Sequence, residues 1–527
     1  TQDLMEKYLL LLFLSCCGAF TICGAQTVTV RGRVIDRKTG EVLSDANVAD
    51  LVLGTGVATN SYGLYSIHVK SKQCILRCSM LGYATKIDTL TLAVNMVHDF
   101  ALMPDNYQLN DVEIVGERKF GGQLALTQKE IQSFPTLGSE PDVLKSLQYL
   151  PGVISGNEGT NNISVRGSDQ WGNLVLLDEA MVYNPNHALS FFSVFNNDAI
   201  QQVNLYKSYF PLMYGGRTSS VIDVRMREGN NQEKHRSATI GVIASKLQLE
   251  GPIKRGKTSY LLSTRFAYPG AILGVLERFR GTKMNFYDIN AKINSTLNDR
   301  NRFFFSIYNG GDHTYFNQLV RGYGMNWGNT TATFRWNHVL TDKTSGNLSA
   351  IFSNYYYRYK SMADGMKYLW KSNMQSYQLK YDVDYAFSNM LHIKSGLSGH
   401  TFTIMPGGID NWGDLNNVVP YRMNRRRLLD IAAYGEISYE ISPRWQFNGG
   451  IRLSTIYSPK VSTYKQKCYV MPEPRAELSY FPGKGDKLHV AFTQSSQSLH
   501  MLSNSSVGIP SDIWIPVNGR VKPAVMK

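Results

Sequence analysis

The sequence predicts a mainly β protein that ends in an antiparallel transmembrane β-barrel. Three observations carry this prediction. The chain of 527 residues is 12% aromatic but only 18% charged, and it contains 45 glycines. From residue 236 onward, apolar and polar residues alternate with a period of two. Short and long connections also alternate along that part. The composition excludes a disordered chain and argues against a helical bundle.

The net charge and the cysteine content restrict the kinds of partner and the disulfide content that the protein can have. The net charge of +14 suits nucleic acid or an acidic membrane surface, but no basic run exceeds Arg425-Arg426-Arg427, so we predict no nucleic-acid partner. Six cysteines are too few to imply a disulfide framework. Cys74 and Cys78 would lie about 13 Å apart on one strand, beyond disulfide reach. We therefore predict that both are buried free thiols.

The first residues have the layout of a secretory signal peptide. An apolar run from Leu9 to Cys23 ends in the small residues Cys23-Gly24-Ala25. We predict a signal peptide at 1–25, cleaved after Ala25. A membrane helix is a weaker interpretation, because about 15 apolar residues fall short of the ~20 needed to span a bilayer. A lipoprotein site at Cys17 is the remaining alternative.

Residues 26–103 are predicted to form a small β-sandwich. Short β-type runs such as Val28–Val34 and Leu64–Val69 are separated by turn signals about every 8–12 residues. Residues 104–230 are predicted to form a compact α+β domain. Its helix begins near Pro141, with Val143, Leu144, Leu147 and Leu150 on one face, and strand-like runs follow.

Residues 231–527 are predicted to form a partial barrel. In Leu379–Phe387 the apolar and aromatic residues share one face, and Lys380, Asp382 and Asp384 share the other; Ile431–Ile441 repeats the pattern. Such strands suit lipid on one side and a wet lumen on the other. We expect Tyr355-Tyr356-Tyr357 and Trp370 in an aromatic girdle at the membrane interface.

The connections support this interpretation and give a strand count. Short turns are expected near 251–257, 297–302, 340–345, 388–390, 442–444 and 481–486, and long outer stretches near 269–285, 309–329, 359–374, 402–427 and 456–469. About twelve strands then lie between 236 and 498. Since plugged barrels have 22 strands, we expect about ten strands to be missing from the C-terminus.

Long runs of residues in fixed order carry a resemblance to a known family. These runs are Ser139–Lys145, Leu150–Val153, Val165–Gln170, Asn173–Pro185, Val203–Lys207 and Phe210–Val224. They resemble the plug of TonB-dependent outer-membrane receptors of the Bacteroidetes type. Val30–Val48 likewise resembles the carboxypeptidase-regulatory-like sandwich that such receptors carry in front of the plug. The 104–230 domain is therefore expected to be a plug.

The resemblance implies energy-coupled uptake through a barrel that the plug closes at rest. The inner-membrane partner TonB, with its energising complex, would pull on a segment before the plug. We expect that segment at Asp111, Val112, Glu113, Ile114 and Val115, where an extended chain suits strand pairing. An ordinary plug strand or linker is the alternative. Other implied partners are outer-membrane lipid or lipopolysaccharide, an unknown extracellular ligand and, as a further candidate, a surface lipoprotein.

The resemblance also selects candidate site residues. The plug motif comprises Arg166, Gly167, Asp178, Tyr183, Asn184, Tyr214, Gly215, Gly216 and Arg217. We expect its two arginines to form buried ion pairs between plug and barrel. Tyr183, Asn184, His187 and Phe191 would form either an apex that faces the ligand or a packed loop. Arg425, Arg426 and Arg427 would contact lipid phosphates or an anionic ligand, or form a solvated rim.

The sequence contains no nucleophile motif, paired catalytic carboxylates, phosphate loop or metal-ligand spacing. We predict no enzyme, no cofactor and no metal site. The favoured function is uptake of a siderophore or other iron chelate, cobalamin, an oligosaccharide or a peptide. The alternative is a non-energised outer-membrane barrel with a structural, adhesion or secretion role. A signalling receptor ranks last.

Overall fold

The computed structural model describes residues 28–70, 73–105, 122–135, 140–156, 160–277, 280–318, 321–363, 366–411, 419–461, 464–483, 486–502 and 513–527. The expected signal peptide (1–25) and the expected TonB-contacting segment (111–115) lie outside these residues. Across the described ranges, no helix is both long and apolar enough to cross a membrane.

The N-terminal domain, called the sandwich below, consists of two β-sheets around one core. Its strands are β1 (Val28–Asp36), β2 (Asn47–Asp50), β3 (Thr55–Ala58), β4 (Leu64–Val69), β5 (Gln73–Ser79), β6 (Lys86–Thr91), β7 (Met96–Val97) and β8 (Phe100–Leu102). β1 pairs with β4, β7 and β8, and the other sheet has the order β3-β2-β5-β6. Cys74 and Cys78 are buried free thiols in β5, as the spacing predicts.

The central domain is built on a five-stranded sheet of order β13-β12-β17-β16-β9. Its elements are β9 (Gln123–Thr127), the helices Gln128–Ser133 and Val143–Gln148, β10 (Val153–Ser155), β11 (Ile163–Val165), β12 (Leu174–Leu177), β13 (Ala180–Met181), β14 (Asn186–His187), β15 (Phe192–Ser193), β16 (Ile200–Tyr206), β17 (Val221–Met226) and the 3-10 helices Gln170–Gly172, Ala188–Ser190 and Asn197–Ala199.

The predicted helix of the central domain is present but begins after Pro141. The Asp142 carboxylate accepts a hydrogen bond from the Lys145 amide at 3.0 Å, so Asp142 is the N-cap and Val143 the first helical residue. Leu144 and Leu147 on the predicted face are buried in the core of the domain.

The rest of the chain forms a 14-stranded antiparallel sheet, called the large sheet below. Its strands are β18 (His235–Ile240), β19 (Ala244–Lys254), β20 (Thr258–Ala267), β21 (Lys283–Asn298), β22 (Asn301–Gln318), β23 (Arg321–Thr341), β24 (Thr344–Ala363), β25 (Met366–Ala386), β26 (Leu391–Asn411), β27 (Tyr421–Arg422), β28 (Arg426–Ser442), β29 (Trp445–Ser458), β30 (Lys467–Tyr480) and β31 (Leu488–Thr493). Each strand pairs with the next along the chain, except that β27 pairs only with β26. Within the described part of the chain, β18 and β31 are not paired with each other.

Further short elements accompany this sheet. They are a helix at Pro269–Leu273 and the strands β32 (Ser495–Gln497), β33 (Leu499–Leu502), β34 (Ile513–Pro516) and β35 (Ala524–Met526). β32 pairs with β35, and β33 pairs with β34.

In the large sheet, apolar and polar side chains alternate between the two faces as the sequence predicts, with the apolar side chains outside and the polar ones inside (an inverted alternation compared with a soluble protein). Along β28, Ile431 and Ile437 are exposed, whereas Glu436 between them is buried. Along β25, Leu379 is 59% exposed and its neighbour Lys380 only 4%. Apolar side chains therefore cover the outer face, and polar side chains face the central domain. This arrangement is that of a membrane barrel.

The strand count exceeds the expected twelve because two pieces of strand carry no clear sequence signal. The turn between β18 and β19, at Gly241–Ile243, is mainly apolar, so the sequence pattern does not separate these strands; the Gly241 amide bonds to the Ala244 carbonyl at 2.9 Å. The two-residue strand β27 lies inside the expected loop 402–427.

Two of the expected long loops are strands instead. Residues 309–329 and 359–374 lie mostly within β22 to β25, which are 18 to 21 residues long. A β-strand needs only about 9–11 residues to cross a bilayer. These four strands are therefore about twice as long as a bilayer-crossing strand needs to be, and the extra length lies on the side of the long connections.

The sandwich lies against the opposite, short-turn end of the large sheet. In the turn after β23, the Asp342 carboxylate accepts hydrogen bonds from Arg31 Nε at 2.7 Å and from Asn95 Nδ2 at 2.9 Å. In the turn after β25, Asn389 exchanges hydrogen bonds of 2.6 and 2.8 Å with the backbone of His68.

Two further contacts support the docking of the sandwich. Arg33 Nη2 lies 3.4 Å from the Asp299 carbonyl oxygen in the turn after β21. On the side of the central domain, Gln202 Nε2 donates to Ser44 Oγ at 3.0 Å. The sandwich is thus joined to both other parts of the molecule.

Replacing Asp342 with asparagine is expected to weaken this docking about tenfold, because hydrogen bonds to charged groups contribute about 1.5–3 kcal/mol and a partly exposed pair the lower end of that range. The reporter is the His68 amide, which donates to Asn389 and exchanges only when the sandwich moves away. We expect its hydrogen exchange to accelerate about tenfold. Asp486→Asn, in an exposed turn at the same end, is the control. Unchanged exchange at His68 would contradict the prediction.

Candidate functional site

An acidic turn in the central domain contacts the polar face of the large sheet. Asp178 and Glu179 join β12 to β13 with φ angles of 47° and 72°, as a two-residue hairpin turn requires. Glu179 lies 3.0 Å from Arg335 Nη2 and 3.3 Å from Lys380 Nζ, and Asp178 lies 2.9 Å from Lys292 Nζ. These five buried residues are called the acidic-turn cluster below.

The acidic-turn cluster is electrostatically satisfied. Burial alone would raise the pKa of Glu179, but Arg335 and Lys380 outweigh it and hold the pKa well below its usual range. Burial would likewise raise the pKa of Asp178, yet the nearby cations lower it. The Tyr62 hydroxyl of the sandwich also donates to Glu179 at 3.1 Å. The cluster therefore joins all three parts of the molecule.

A second contact holds His187 between two aspartates of the large sheet. Its Nε2 lies 2.7 Å from Asp288 Oδ1, and its Nδ1 lies 2.5 Å from Asp312 Oδ2. The Ala188 amide adds a hydrogen bond to Asp312 at 2.7 Å. Burial would lower the pKa of His187, but the two aspartates raise it to about 9. A protonated imidazole therefore links the central domain to β21 and β22.

A third contact holds the loop 209–214 of the central domain. The Tyr209 hydroxyl and the Leu212 amide both donate to the Glu436 carboxylate, the amide at 3.0 Å. Arg475 Nη1 lies 3.0 to 3.1 Å from three carbonyl oxygens of the loop. Side chains of the large sheet thus bond main-chain groups of this loop.

The other predicted plug-motif residues lie in or near this interface. Tyr183 donates to Ser376 Oγ at 2.7 Å, and the Asn184 carbonyl oxygen accepts from Asn329 Nδ2 at 2.7 Å. Buried Tyr214 donates to Asp223 within the central domain, and Gly215 and Gly216 are half-buried. A Cβ atom at Gly215 would lie 2.5 Å from Arg452 Nε, so any larger residue there would have to displace the Arg452 side chain.

The ion-pair prediction for the two motif arginines is wrong. Arg166 is exposed in a left-handed turn with Gly167, at φ angles of 53° and 76°. Arg217 is buried, and its guanidinium lies 5.1 Å from the ring of Trp514. Neither pairs with a carboxylate among the residues that the structure describes. The acidic-turn cluster and His187 form the buried pairs instead, because their side chains meet oppositely charged residues of the large sheet.

The predicted ligand-contact residues differ in whether they are buried or exposed. His187 faces the large sheet, with both ring nitrogens bonded, which corrects the hypothesis of a ligand-facing apex at this residue. Phe191 is 43% exposed. Arg425 and Arg427 are exposed, and the Arg426 guanidinium lies 5.1 Å from the ring of Tyr464. A ligand or lipid role for these four residues stays a prediction.

The girdle prediction fails for two of the three consecutive tyrosines. Tyr355 and Tyr357 are buried and pack with Tyr183 and Trp327 on the inner face. Successive side chains of a strand point to opposite faces, so three in a row cannot all meet lipid. Trp370 also packs partly buried against the inner cluster.

Sequence reasoning missed the basic residues that bind the acidic turn. The alternation predicts only that Lys380 lies on the polar face, and no sequence pattern marks Lys292 or Arg335 as its counterparts. A cation on a lumen-facing position needs an acid once a domain fills the lumen, and that rule could have identified them. Within the described ranges, no group of three or more His, Cys, Asp or Glu residues is arranged to hold a metal ion.

Comparisons with known proteins agree with this architecture. Residues 30–114 match the CarboxypepD_reg-like domain family, and residues 124–221 match the TonB-dependent receptor plug domain family. The fold is similar to that of the copper transporter OprC, with a TM-score of 0.57, 11% identity and coverage of 71% of this chain and 64% of that chain. No curated protein matches the sequence significantly.

Two receptors for ferric compounds have similar folds. For the ferric preacinetobactin receptor BauA from Acinetobacter baumannii, the TM-score is 0.56 at 10% identity, covering 72% of this chain and 64% of that chain. For the ferric yersiniabactin uptake receptor FyuA from Yersinia pestis, the TM-score is 0.55 at 13% identity, covering 76% and 67%. The chain therefore spans less than two thirds of OprC and of BauA.

A central domain packed against the polar face of a barrel-like sheet is the fold that this chain shares with the solved transporter and receptors above. More specifically, the chain carries a CarboxypepD_reg-like domain and a TonB-dependent receptor plug domain, and its fold is that of TonB-dependent receptors. The predicted fold class and family resemblance are confirmed.

Proposed function

We propose that this protein is a TonB-dependent receptor of the outer membrane that takes up a scarce nutrient. The observation that carries the proposal is the pairing of buried charges between the central domain and the large sheet. Apolar packing also contributes to this interface, but its ion pairs and hydrogen bonds to a polar lumen can be exchanged for water when the domain moves. The inverted alternation of the large sheet supports a location in a membrane.

The proposed partners follow from this function. TonB and its inner-membrane complex would supply energy through the segment 111–115, and an N-terminal signal peptide would direct export. Lipopolysaccharide would surround the apolar face, with Arg425 and Arg427 near its phosphate groups. A surface lipoprotein that covers the long hairpins is a further proposed partner.

The transported ligand is proposed only as a class. It would be a ferric siderophore or other metal chelate, cobalamin, an oligosaccharide or a peptide. OprC, BauA and FyuA are named for copper and for ferric compounds, which makes metal chelates the first ligands to test.

Substitution of proline for Ile114 is expected to abolish uptake. Strand pairing with a partner needs main-chain N–H groups, and proline removes one and fixes φ. The measurement is TonB-dependent growth on each candidate ligand as a limiting nutrient, in cells that lack other receptors for it. Surface binding of the ligand is expected to be unchanged.

Glu113→Gln is the matched control, because it keeps the main chain and removes only one charge. It should retain uptake. If Ile114→Pro transports like the unmodified protein, energy coupling through this segment is refuted, and a non-energised barrel with a structural, adhesion or secretion role becomes the better hypothesis.

A further inference from the structure

A small cavity lies between the central domain and the hairpin of β33 and β34, and polar side chains form part of its mainly apolar lining. Its volume is about 40 Å³, and its lining includes Asn161, Asn162, Asn186, Trp171, Trp514 and Arg217. It is separate from the acidic-turn cluster and from His187, so the contacts described above do not account for its composition.

Three carboxamide groups in this lining have atoms without a hydrogen-bond partner in the described structure. Asn161 donates to Asp142 at 2.9 Å, and Asn186 donates to the Asn162 oxygen at 3.2 Å. This leaves Asn161 Oδ1, Asn186 Oδ1 and Asn162 Nδ2 unpaired, although all three side chains are buried. Buried polar atoms without partners cost free energy, so two acceptors and one donor are available for a ligand.

Arg217 supplies a positive charge with no ion-pair partner among the described residues. Its Nη1 donates to the carbonyl oxygen of the adjacent Gly216 at 3.0 Å, its Nη2 contacts the Met181 sulfur at 3.7 Å, and its guanidinium lies over the ring of Trp514. The side chain is buried, and burial lowers the pKa of Arg217 to about 10. A buried guanidinium in such surroundings attracts an anion, and its planar donors suit a carboxylate.

The size of the cavity limits what can enter it. A volume of about 40 Å³ holds about three water molecules, since each needs roughly 10–15 Å³. A carboxylate with a hydroxyl group on the adjacent carbon has five heavy atoms at bonded distances and so fills a volume comparable to that of three waters, whereas a whole nutrient molecule is far larger. The rings of Trp171 and Trp514, 6.1 Å apart and nearly perpendicular, border the same space. The cavity therefore fits the end group of a ligand.

We propose that this cavity binds a carboxylate group of the transported ligand, with a hydroxyl group on the adjacent carbon. Arg217 and Asn162 Nδ2 donate to the carboxylate oxygens, and the single O–H of the hydroxyl group donates to one of the two free carboxamide oxygens, Asn161 Oδ1 or Asn186 Oδ1. An ammonium group in the hydroxyl position is disfavoured by the charge of Arg217. This inference rests on the proposed uptake function and specifies one feature of its substrate.

The test is saturation-transfer NMR on the full chain in detergent, with acetate, glycolate and glycine as probes at constant ionic strength. Glycolate is expected to bind at least tenfold more tightly than glycine, with acetate between them. Arg217→Gln should weaken glycolate binding at least tenfold, and Arg217→Lys should weaken it less. Arg255→Gln, in an exposed turn, is the control and should bind like the unmodified protein.

Several outcomes would overturn the inference. These are no saturable binding of glycolate, equal binding of glycolate and glycine, or unchanged binding in Arg217→Gln. Asn162→Leu, which keeps the arginine, provides a second test if Arg217→Gln fails to fold, and it should also lose binding. If glycolate does not bind but uptake still depends on Ile114, only the proposed carboxylate site is refuted. Glycolate binding with uptake independent of Ile114 removes the proposed transport function instead.

Discussion

Glu179→Gln is expected to destabilise the docking of the central domain by about 3–5 kcal/mol, as does removal of one partner from other buried ion pairs. The neutral amide would leave Arg335 and Lys380 facing each other in a buried site. Lys380 keeps Asp382 at 3.1 Å, but Arg335 has no other ion-pair partner among the described residues. Most of the lost free energy of docking should therefore come from Arg335, which becomes a buried charge without a carboxylate partner in the described part of the chain.

The measurement is hydrogen exchange of the peptides that cover β12 and β13. A loss of 3–5 kcal/mol corresponds to exchange that is about 100-fold faster or more. Glu233→Gln, at an exposed position beside the central domain, is the control and should change nothing. Exchange in Glu179→Gln that matches the unmodified protein would show that the acidic-turn cluster does not hold the domain.

The docking of the central domain is expected to weaken as pH rises from 6.5 to 9. His187 has a pKa of about 9 in the folded protein against 6.5 as its ordinary value. A raised pKa stabilises the folded state fully below the unfolded value, and this stabilisation is lost as pH rises through the folded value. The difference corresponds to about 3 kcal/mol.

Denaturant titrations of the full chain between pH 6.5 and 9.5 measure this loss. His187→Asn cannot take up the proton, so we expect lower stability at pH 6.5 and a flatter dependence on pH. His313→Asn replaces an exposed histidine next to Asp312 and should keep the slope of the unmodified protein. A slope that persists in His187→Asn would assign the pH dependence to other groups.

The sequence predicted the fold well because its signals are local. Alternation along β25 and β28 needs only the order of residues, and so does the helical face of Leu144 and Leu147. The apolar turn at Gly241–Ile243 and the extended hairpins were missed because strand ends depend on pairing with a neighbour. That pairing is not visible in one segment of the chain.

The site was predicted less completely, since it depends on which distant residues meet. Asp178 and Lys292 are far apart in sequence, and only the packing of the central domain against β21 brings them within 2.9 Å. For Arg166 and Arg217, the neighbouring glycines correctly predict turns, but the predicted ion pairs are absent from the described residues. The direction of each side chain depends on the backbone conformation, which turns Arg166 outward.

The docking of the sandwich has a mechanical consequence for the large sheet. Its contacts at Asp299, Asp342 and Asn389 fall in three successive short turns. Strands lie about 4.7–4.9 Å apart, so these turns span about 20 Å of the rim. The sandwich therefore cross-links three hairpins of the large sheet. Bending these hairpins at this end requires breaking hydrogen bonds to a separate folded domain as well as those within the sheet.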